Sequence, residues 1–198
     1  MNEINNFDAI SKHLVFPDDD QFYYIQIITR KKDGHDVNGN NRTRLIKSYR
    51  IKSKEQFDRR QDEIIKLCKA FNARAYIHFT RRSQKAVMEK LLVLIPQHYL
   101  NDTYDKATSL FDTACGQTYV RTSKTFLIDV DKEDLDIANY IQDVVENVLK
   151  RKVLFVNNSV SGKHIICEPF NVAEFNKVFK NIDIQKNNPT LLYYCKTM

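Results

Sequence analysis

The chain has 198 residues, of which 42% are hydrophobic and 28% are charged, and it contains only four glycines and four prolines. This length suits one compact domain with a sizeable core, and the composition excludes extensive disorder and long flexible linkers. The formal charge of +6 at pH 7 mildly favours a polyanionic partner such as nucleic acid, because Lys and Arg that neutralise phosphates release counterions on binding.

The cysteines are scattered along the chain, and no two of them form a C-x-x-C pair. Neither a zinc site of the paired-cysteine kind nor a disulfide framework is therefore indicated, and a reducing compartment suits the chain best. The N-terminal residues are polar, and no apolar stretch reaches the roughly 18 residues that cross a bilayer. We therefore expect a cytoplasmic protein without a membrane partner.

The first part of the chain, over about residues 1–120, is predicted to form an N-terminal α/β lobe. Runs of aromatic and β-branched residues predict three strands, over residues 22–29, 45–51 and 73–80. A polar loop rich in Asn and Gly is expected over residues 31–44. Ser53 and Ser83 are suitable N-caps for two helices with apolar residues at helical spacing, the second ending at Pro96. A short helix is expected near residues 104–113.

The second part, over about residues 121–198, alternates regularly between strand and helix patterns. The predicted order is strand 124–131, helix 135–150, strand 152–157, strand 162–168, helix 171–180 and a last strand or hairpin 182–195. A β-α-β-β-α-β chain most often forms a ferredoxin-like or RNA-recognition-motif-like (RRM-like) unit, with the first and third strands as central neighbours and the fourth beside the first. The predicted fold class is therefore α+β, with this lobe packed against the N-terminal lobe and an active-site cleft between them.

Asp129 and Asp131 end the first strand of the second lobe, directly after an apolar run. Because side chains alternate along a strand, both carboxylates are expected on the open face while alternate apolar residues face the helices. Mg²⁺ prefers carboxylate and phosphate oxygens, so the pair suits one or two such ions. The alternative is that Asp131 or Asp134 caps the next helix and that Asp129 is simply a strand-end acid.

The segment Ser161-Gly162-Lys163-His164 opens the third strand of the same lobe. Glycine permits close backbone approach to a phosphate, while serine and lysine supply a hydroxyl group and a positive charge. His164 can share the open face with the two aspartates. A simple hairpin turn is compatible with the same residues. Asp183 is the candidate third carboxylate by position, and it is equally well explained as a turn residue.

Several basic residues are candidates for nucleic-acid contacts. Arg81 and Arg82 follow the third predicted strand, and Arg74 lies at its start. Lys and Arg along a cleft favour phosphate binding, although the usual role of such residues is to keep a surface solvated.

Three motifs resemble those of the archaeo-eukaryotic primase superfamily, the primase-polymerases. The run Leu127-Ile128-Asp129-Val130-Asp131 looks like the first motif of that family, the segment from Ser159 to His164 looks like its Gly-x-His motif, and Ile182-Asp183 looks like its third. The order and approximate spacing of the motifs also agree, as does an α/β lobe before an RRM-like lobe. The resemblance therefore covers most of the chain.

The resemblance implies a DNA primase or primase-polymerase, in which a 3′-hydroxyl group attacks the α-phosphate of a nucleoside triphosphate on a single-stranded DNA template. Mg²⁺ or Mn²⁺ would stabilise the attacking and leaving oxygens. The implied catalytic and metal-binding residues are Asp129, Asp131 and Asp183, and the implied nucleotide-binding residues are Ser161, Gly162, Lys163 and His164. Lys196 is the candidate for the basic residue that the family often has after its third motif. A separate replicative helicase is an implied partner, and a phage or mobile element an implied source.

Two other functions are compatible with parts of the pattern. A catalytically inactive, single-stranded nucleic-acid-binding module of the same fold is the first, because RRM-like sheets bind single strands through exposed aromatic residues. Acids on the open face argue against it. A rolling-circle nicking endonuclease needs a metal-binding histidine pair and a helical tyrosine, whereas the strand around His78 supplies one histidine only. A structural role remains if the three motifs are coincidental.

Overall fold

The structure, a computed structural model, describes residues 3–30, 33, 43–119 and 124–196. Its described strands form two antiparallel sheets that are accompanied by helices. The α+β class predicted from the sequence is thereby confirmed. Most of the predicted loop over residues 31–44 lies outside the described residues. Within the described ranges, no helix combines the length and apolar character needed to cross a membrane.

The first sheet combines the N-terminal strands with the last strand of the chain. Its strands are β1 Glu3–Asn5, β2 Gln21–Thr29, β3 Arg44–Ile51, β4 Arg74–Ser83 and β9 Thr190–Cys195. Their order is β1-β9-β4-β2-β3. The prediction of a single strand or hairpin over 182–195 was wrong for this last segment, because β9 returns to the first sheet. Every residue of β9 is buried, as expected for a strand with neighbours on both sides.

The second sheet contains the strands β5 Phe126–Asp131, β6 Val153–Asn158, β7 Gly162–Cys167 and β8 Asp183–Lys186. Their order is β6-β7-β5-β8, and all three pairings are antiparallel. The two pairings expected from the sequence, β5 beside β7 and β8 beside β5, are both present. This order brings the ends of β5, β7 and β8 that carry the candidate site residues next to one another.

The α-helices are α1 Phe7–Ser11, α2 Lys54–Phe71, α3 Gln84–Leu100, α4 Leu110–Gln117, α5 Ala138–Asp143 and α6 Val172–Val178. Ser53 and Ser83 cap α2 and α3 as predicted, since their hydroxyl groups accept hydrogen bonds from the backbone amides of Gln56 and Ala86, both at 3.1 Å. The prediction that the second of these helices ends at Pro96 was wrong: α3 runs on to Leu100, because a proline removes one helical hydrogen bond and leaves the others intact.

The helix predicted over 135–150 is built from three shorter segments. A 3-10 helix over Lys132–Ile137 leads into α5, and a π-helical segment over Val144–Val148 follows. Together with α6 these segments pack on one face of the second sheet, where Ile128 and Val130 of β5 are fully buried. The predicted alternation along β5 is therefore present, and the face with Asp129 and Asp131 is the one turned away from these helices.

The opposite face of the second sheet contributes to a core shared with the first sheet. Leu127, Phe155 and Ile166 pack there with buried residues of α1, α2, β2 and β4. Polar contacts reinforce the junction: the side-chain amide of Asn6 donates to the backbone carbonyl of Asn158 at 2.8 Å, and the hydroxyl groups of Thr80 and Thr125 lie 3.0 Å apart. This shared core holds the two sheets in a defined relative position.

Candidate functional site

A cleft of about 440 Å³ lies between the two sheets, beside the shared core. The first sheet lines it with side chains from β2, β4 and β9, and the second sheet with side chains from β5, β7 and β8. Residues from the β6–β7 turn and the β8–β9 connection complete the wall. The polar and charged lining residues include Arg30, Arg74, Tyr76, Asp129, Ser161 and His164. Four of the candidate residues named from the sequence border this cleft: Arg74, Asp129, Ser161 and His164.

Asp129 lies at the centre of the carboxylate cluster. Its direct neighbours across the sheet are His164 on β7 and Asp183 on β8. Burial raises its pKa above the ordinary value, the carboxylates of Asp131 and Asp183 raise it further, and Arg30 partly opposes this shift. The aspartates are therefore close enough for mutual repulsion, and a bound cation would relieve it.

Asp131 and Asp183 are more exposed than Asp129 and lie at the rim rather than in the lining of the cleft. Asp131 accepts a hydrogen bond from the hydroxyl group of Ser161 at 3.2 Å. It occupies the N-cap position of the 3-10 helix, but its side chain makes no capping hydrogen bond there. Asp183 begins β8 and accepts a hydrogen bond from the Gln185 side chain at 2.6 Å.

Among the described residues, no group of three or more His, Cys, Asp or Glu side chains is arranged to hold a metal ion. Mg²⁺, however, often binds only one or two protein carboxylates and completes its octahedral shell with water and substrate phosphate oxygens. Asp129 and Asp131 supply hard oxygen donors from one strand face, and the repulsion at Asp129 favours a cation. The donor set therefore fits a two-carboxylate Mg²⁺ or Mn²⁺ site.

His164 is held in a buried hydrogen-bonded chain that links both sheets. Its Nδ1 lies 2.9 Å from the hydroxyl oxygen of Thr190 on β9, and this hydroxyl group also pairs with the side-chain amide of Asn157 at 3.0 Å. Its Nε2 lies 3.5 Å from Oδ1 of Asp129. Burial lowers the pKa of His164 to about 4. At neutral pH the ring is therefore uncharged, and its contact with Asp129 is not an ion pair.

The buried histidines are expected to make the protein less stable in mild acid. Burial lowers the pKa of His164 to about 4 and that of His78 to about 3, whereas an unfolded histidine titrates near 6.5. The unfolded state therefore binds more protons below pH 6.5, and stability falls as the pH falls.

From pH 7 to pH 5 we expect each of these two histidines to remove on the order of 1–2 kcal/mol from the free energy of unfolding, measured by urea titration. Asp129 contributes to the pH dependence of stability with the opposite sign, because its raised pKa favours the folded state at low pH. His164→Gln should make the free energy of unfolding depend less on pH. The same pH dependence in variant and wild type would contradict the burial of a neutral ring.

Gly162 packs closely against β5, and Lys163 lies on a different face of the sheet from His164. A Cβ atom on residue 162 would lie 2.0 Å from the carbonyl oxygen of Val130. The glycine therefore permits the close approach of the β5 backbone. Lys163 pairs with Val130, so strand alternation places it on the helix-covered face, opposite to His164. Ser161 and His164 are the two members of the segment that border the cleft.

The arginine pair predicted to bind nucleic acid has mainly structural contacts. Arg82 is 3% exposed; its Nε donates to the Cys115 carbonyl oxygen at 2.7 Å, and it also contacts the Thr80 carbonyl oxygen. These contacts hold the Arg82 guanidinium inside the protein, and its role as a nucleic-acid contact stays a prediction. Arg81 donates to the Gln21 side chain at 2.7 Å and lies outside the cleft lining. Lys196 is exposed beyond β9 and also lies outside that lining.

Two other arginines line the cleft from the first sheet. Arg74, a candidate from the sequence, forms a buried ion pair with Asp33 and lies 4.7 Å from the ring of Tyr194, so its charge is already neutralised. Arg30, which the sequence analysis missed, donates to the hydroxyl oxygen of Tyr76 at 3.0 Å. The position of Arg30 directly after a strand was the one sequence feature that could have indicated a place in the cleft. No motif distinguishes Arg30 from other basic residues.

The cleft thus has carboxylates on one wall and Arg30 on the other, with the neutral ring of His164 beside the central carboxylate. Such an arrangement suits a ligand that brings together a divalent cation and an anionic phosphate. The four cysteines are all buried, so they offer no accessible thiol nucleophile.

A scan against protein-family models finds no match to this chain, and searches of curated proteins and of solved structures find no significant match.

Proposed function

We propose that the protein is a template-directed nucleotidyltransferase, a DNA primase or primase-polymerase that acts on single-stranded DNA and nucleoside triphosphates in the cytoplasm. One observation carries the proposal: Asp129 lies between His164 and Asp183 on neighbouring strands and borders a cleft that Arg30 lines from the other sheet. The β6-β7-β5-β8 order supports an RRM-like second lobe, and the motif resemblance supports the assignment to primase-polymerases.

In this proposal each residue of the cleft has a distinct role. Asp129 and Asp131, assisted by Asp183, would hold Mg²⁺ or Mn²⁺, which supplies charge stabilisation for the attacking and leaving oxygens. His164 would donate a hydrogen bond to a phosphate oxygen from a neutral ring that Thr190 keeps in place. Arg30 would neutralise charge that accumulates on the leaving pyrophosphate.

The direct test is incorporation of labelled nucleotides on a single-stranded DNA template, with Mg²⁺ or Mn²⁺ and with or without a primer. Metal-dependent product is expected, and product without a primer would identify a primase. Template binding without any product, under all of these conditions, would favour the catalytically inactive binding module. Binding is measured in parallel by fluorescence anisotropy of the same template.

Arg30 is expected to be the main phosphate-binding cation of the cleft. Since a hydrogen bond to a charged group contributes roughly 1.5–3 kcal/mol, Arg30→Ala should raise the KM for nucleoside triphosphate roughly tenfold or more. Arg30→Lys should be intermediate, because it keeps the charge but loses the planar donor set. Steady-state kinetics measures both. The control is Arg59→Ala, which removes an exposed arginine of α2; equal effects of the two alanine variants would exclude a specific role for Arg30.

The nicking-endonuclease alternative has little support from the cleft. His78, the histidine that it requires, lies 3.1 Å from the Gln26 side-chain oxygen through Nε2 and 3.0 Å from an Arg82 nitrogen through Nδ1. Both ring nitrogens are therefore already in contact with protein groups, and the adjacent positive charge of Arg82 disfavours a metal ion there.

A further inference from the structure

Four polar side chains lead from the buried junction of the two sheets to the cleft. Asn157 on β6 is 5% exposed, Thr190 on β9 is fully buried, and His164 on β7 is 8% exposed. Asn157 Nδ2 lies 3.0 Å from Thr190 Oγ1, which lies 2.9 Å from His164 Nδ1. On the other side of the ring, His164 Nε2 lies 3.5 Å from Asp129 Oδ1 at the cleft. Both ring nitrogens of His164 therefore face polar groups of other strands.

One orientation of the Asn157 amide group satisfies its neighbours. Its nitrogen lies 3.0 Å from the backbone carbonyl oxygen of Leu191. A carbonyl oxygen only accepts hydrogen bonds, so the atom that faces it has to be the amide nitrogen and not the amide oxygen. The nitrogen has two hydrogens, and the second one is donated to Thr190 Oγ1. The threonine hydroxyl group therefore accepts from Asn157 and has its own hydrogen left to donate.

The hydroxyl hydrogen of Thr190 has two acceptors within reach, Asn157 Oδ1 at 3.1 Å and His164 Nδ1 at 2.9 Å. The carboxylate of Asp129 decides between them. An acceptor oxygen beside Nε2 is stabilised by a hydrogen on that nitrogen and repelled by a lone pair. A neutral imidazole has a single N–H, so a hydrogen on Nε2 leaves Nδ1 as an acceptor. The Thr190 hydrogen then goes to His164, and the hydrogen bonds of the chain run towards the cleft.

We infer that Thr190 is a positioning residue that holds His164 in the tautomer with its hydrogen on Nε2, and that Asn157 orients the Thr190 hydroxyl group. The ring thereby presents an N–H donor to the cleft. Such a nitrogen binds an anionic oxygen and does not coordinate a metal ion, because coordination needs the lone pair. The cation is left to the aspartates. The tautomer is independent of the proposed function, whereas the identification of the anion as a substrate phosphate rests on it.

This arrangement depends on the packing of the two sheets against each other. Thr190 begins β9 of the first sheet, whereas Asn157 and His164 belong to the second sheet. The side-chain amide of Asn6 donates to the carbonyl oxygen of Leu191 at 2.9 Å and helps to hold the start of β9 in place. Loss of the sheet packing would remove the donor at Nδ1. The tautomer is therefore fixed only when both sheets are assembled.

NMR spectroscopy measures the tautomer directly, from the ring ¹⁵N chemical shifts of protein labelled with ¹⁵N-histidine at neutral pH. A ring nitrogen with a hydrogen and one with only a lone pair give well-separated signals. The chain has five histidines, and the signals of His164 are those that His164→Gln lacks. Wild type is expected to have the hydrogen of this ring on Nε2. A hydrogen on Nδ1, or on both nitrogens, would overturn the inference.

Substitution of Thr190 tests the positioning role. Thr190→Val keeps the shape of the side chain but removes the hydroxyl donor, so the ring is expected to populate both tautomers. Nucleotide incorporation should fall roughly tenfold, as for the loss of a hydrogen bond to a charged group. Thr190→Ser keeps the hydroxyl group and should retain the wild-type tautomer and most of the activity. The control is Thr125→Val, which removes another buried hydroxyl group between the sheets, 3.0 Å from that of Thr80, and should change neither.

The outcomes distinguish this inference from the proposed function. Wild-type tautomer and activity in Thr190→Val, or equal losses in Thr125→Val, would exclude a positioning role for Thr190. Incorporation by a wild-type protein with the hydrogen on Nδ1 would overturn the tautomer and leave the proposed function standing. A hydrogen on Nε2 without any incorporation would contradict the proposed function and leave the tautomer standing. Far-UV circular dichroism establishes that each variant is folded.

Discussion

Replacing both Asp129 and Asp131 with asparagine is expected to lower nucleotide incorporation roughly a thousandfold or more. Asparagine has nearly the same shape as aspartate but lacks the charge that holds a divalent cation. Single-turnover incorporation on a primed single-stranded template measures the loss. Asp183→Asn should have a smaller effect, because this carboxylate is exposed and lies outside the cleft lining.

The same substitutions are expected to leave the fold intact or to stabilise it. The pKa of Asp129 is raised by burial and by its acidic neighbours, so its charged form is disfavoured in the folded protein. Asp129→Asn should therefore not lower the free energy of unfolding at pH 7. Activity lost without stability lost is the behaviour of residues retained for function.

Asp136→Asn is the matched control, because it removes an exposed carboxylate from the 3-10 helix that follows β5. It removes one negative charge, where the double variant removes two, at a position that does not line the cleft. Incorporation should stay at the wild-type level. Undiminished activity of the Asp129→Asn/Asp131→Asn variant, or an equal loss in Asp136→Asn, would exclude the proposed carboxylate site.

Gly162→Ala is expected to destabilise the protein by about 3 kcal/mol or more. The added methyl group would lie 2.0 Å from the Val130 carbonyl oxygen and 3.0 Å from Asp131 Cα. Both are backbone atoms of the neighbouring central strand, so no side-chain rotation can relieve the clash. Either β7 moves away from β5 or the pairing of the two strands is lost. Urea unfolding followed by circular dichroism measures the change.

Gly116→Ala is the control for this substitution. Gly116 lies in α4, and a Cβ atom placed on it meets nothing within 4 Å. Alanine favours the helical backbone over glycine by about 1 kcal/mol, so this variant should be as stable as wild type or slightly more stable. A Gly162→Ala protein with wild-type stability would show that β5 and β7 are not packed this closely.

The carboxylate cluster was largely predictable because it depends on local rules. Alternation along β5 places Asp129 and Asp131 on one face, and the β-α-β-β-α-β order brings His164 and Asp183 onto the neighbouring strands. These rules need only the strand positions and their order. They do not need the packing of one sheet against another.

The surroundings of the basic residues were harder to predict, because charge in a sequence does not reveal burial. Arg81 and Arg82 are adjacent, yet strand alternation buries Arg82 beneath α4 while Arg81 contacts Gln21. Arg30 faces the carboxylates only because the first sheet packs across the second. Residues from distant parts of the chain come into proximity in this way, and no local sequence pattern predicts it.

The sequence by itself determined the α+β class and the order of the strands in the second sheet. It also determined the caps of α2 and α3 and the position of the candidate carboxylates. These features were predictable because periodicity and capping act between residues close in the chain. Only the tertiary structure decided that β9 joins the first sheet, that Gly162 makes room for β5, and that Arg30 completes the cleft. These features depend on contacts between residues far apart in sequence, where packing space and burial decide the outcome.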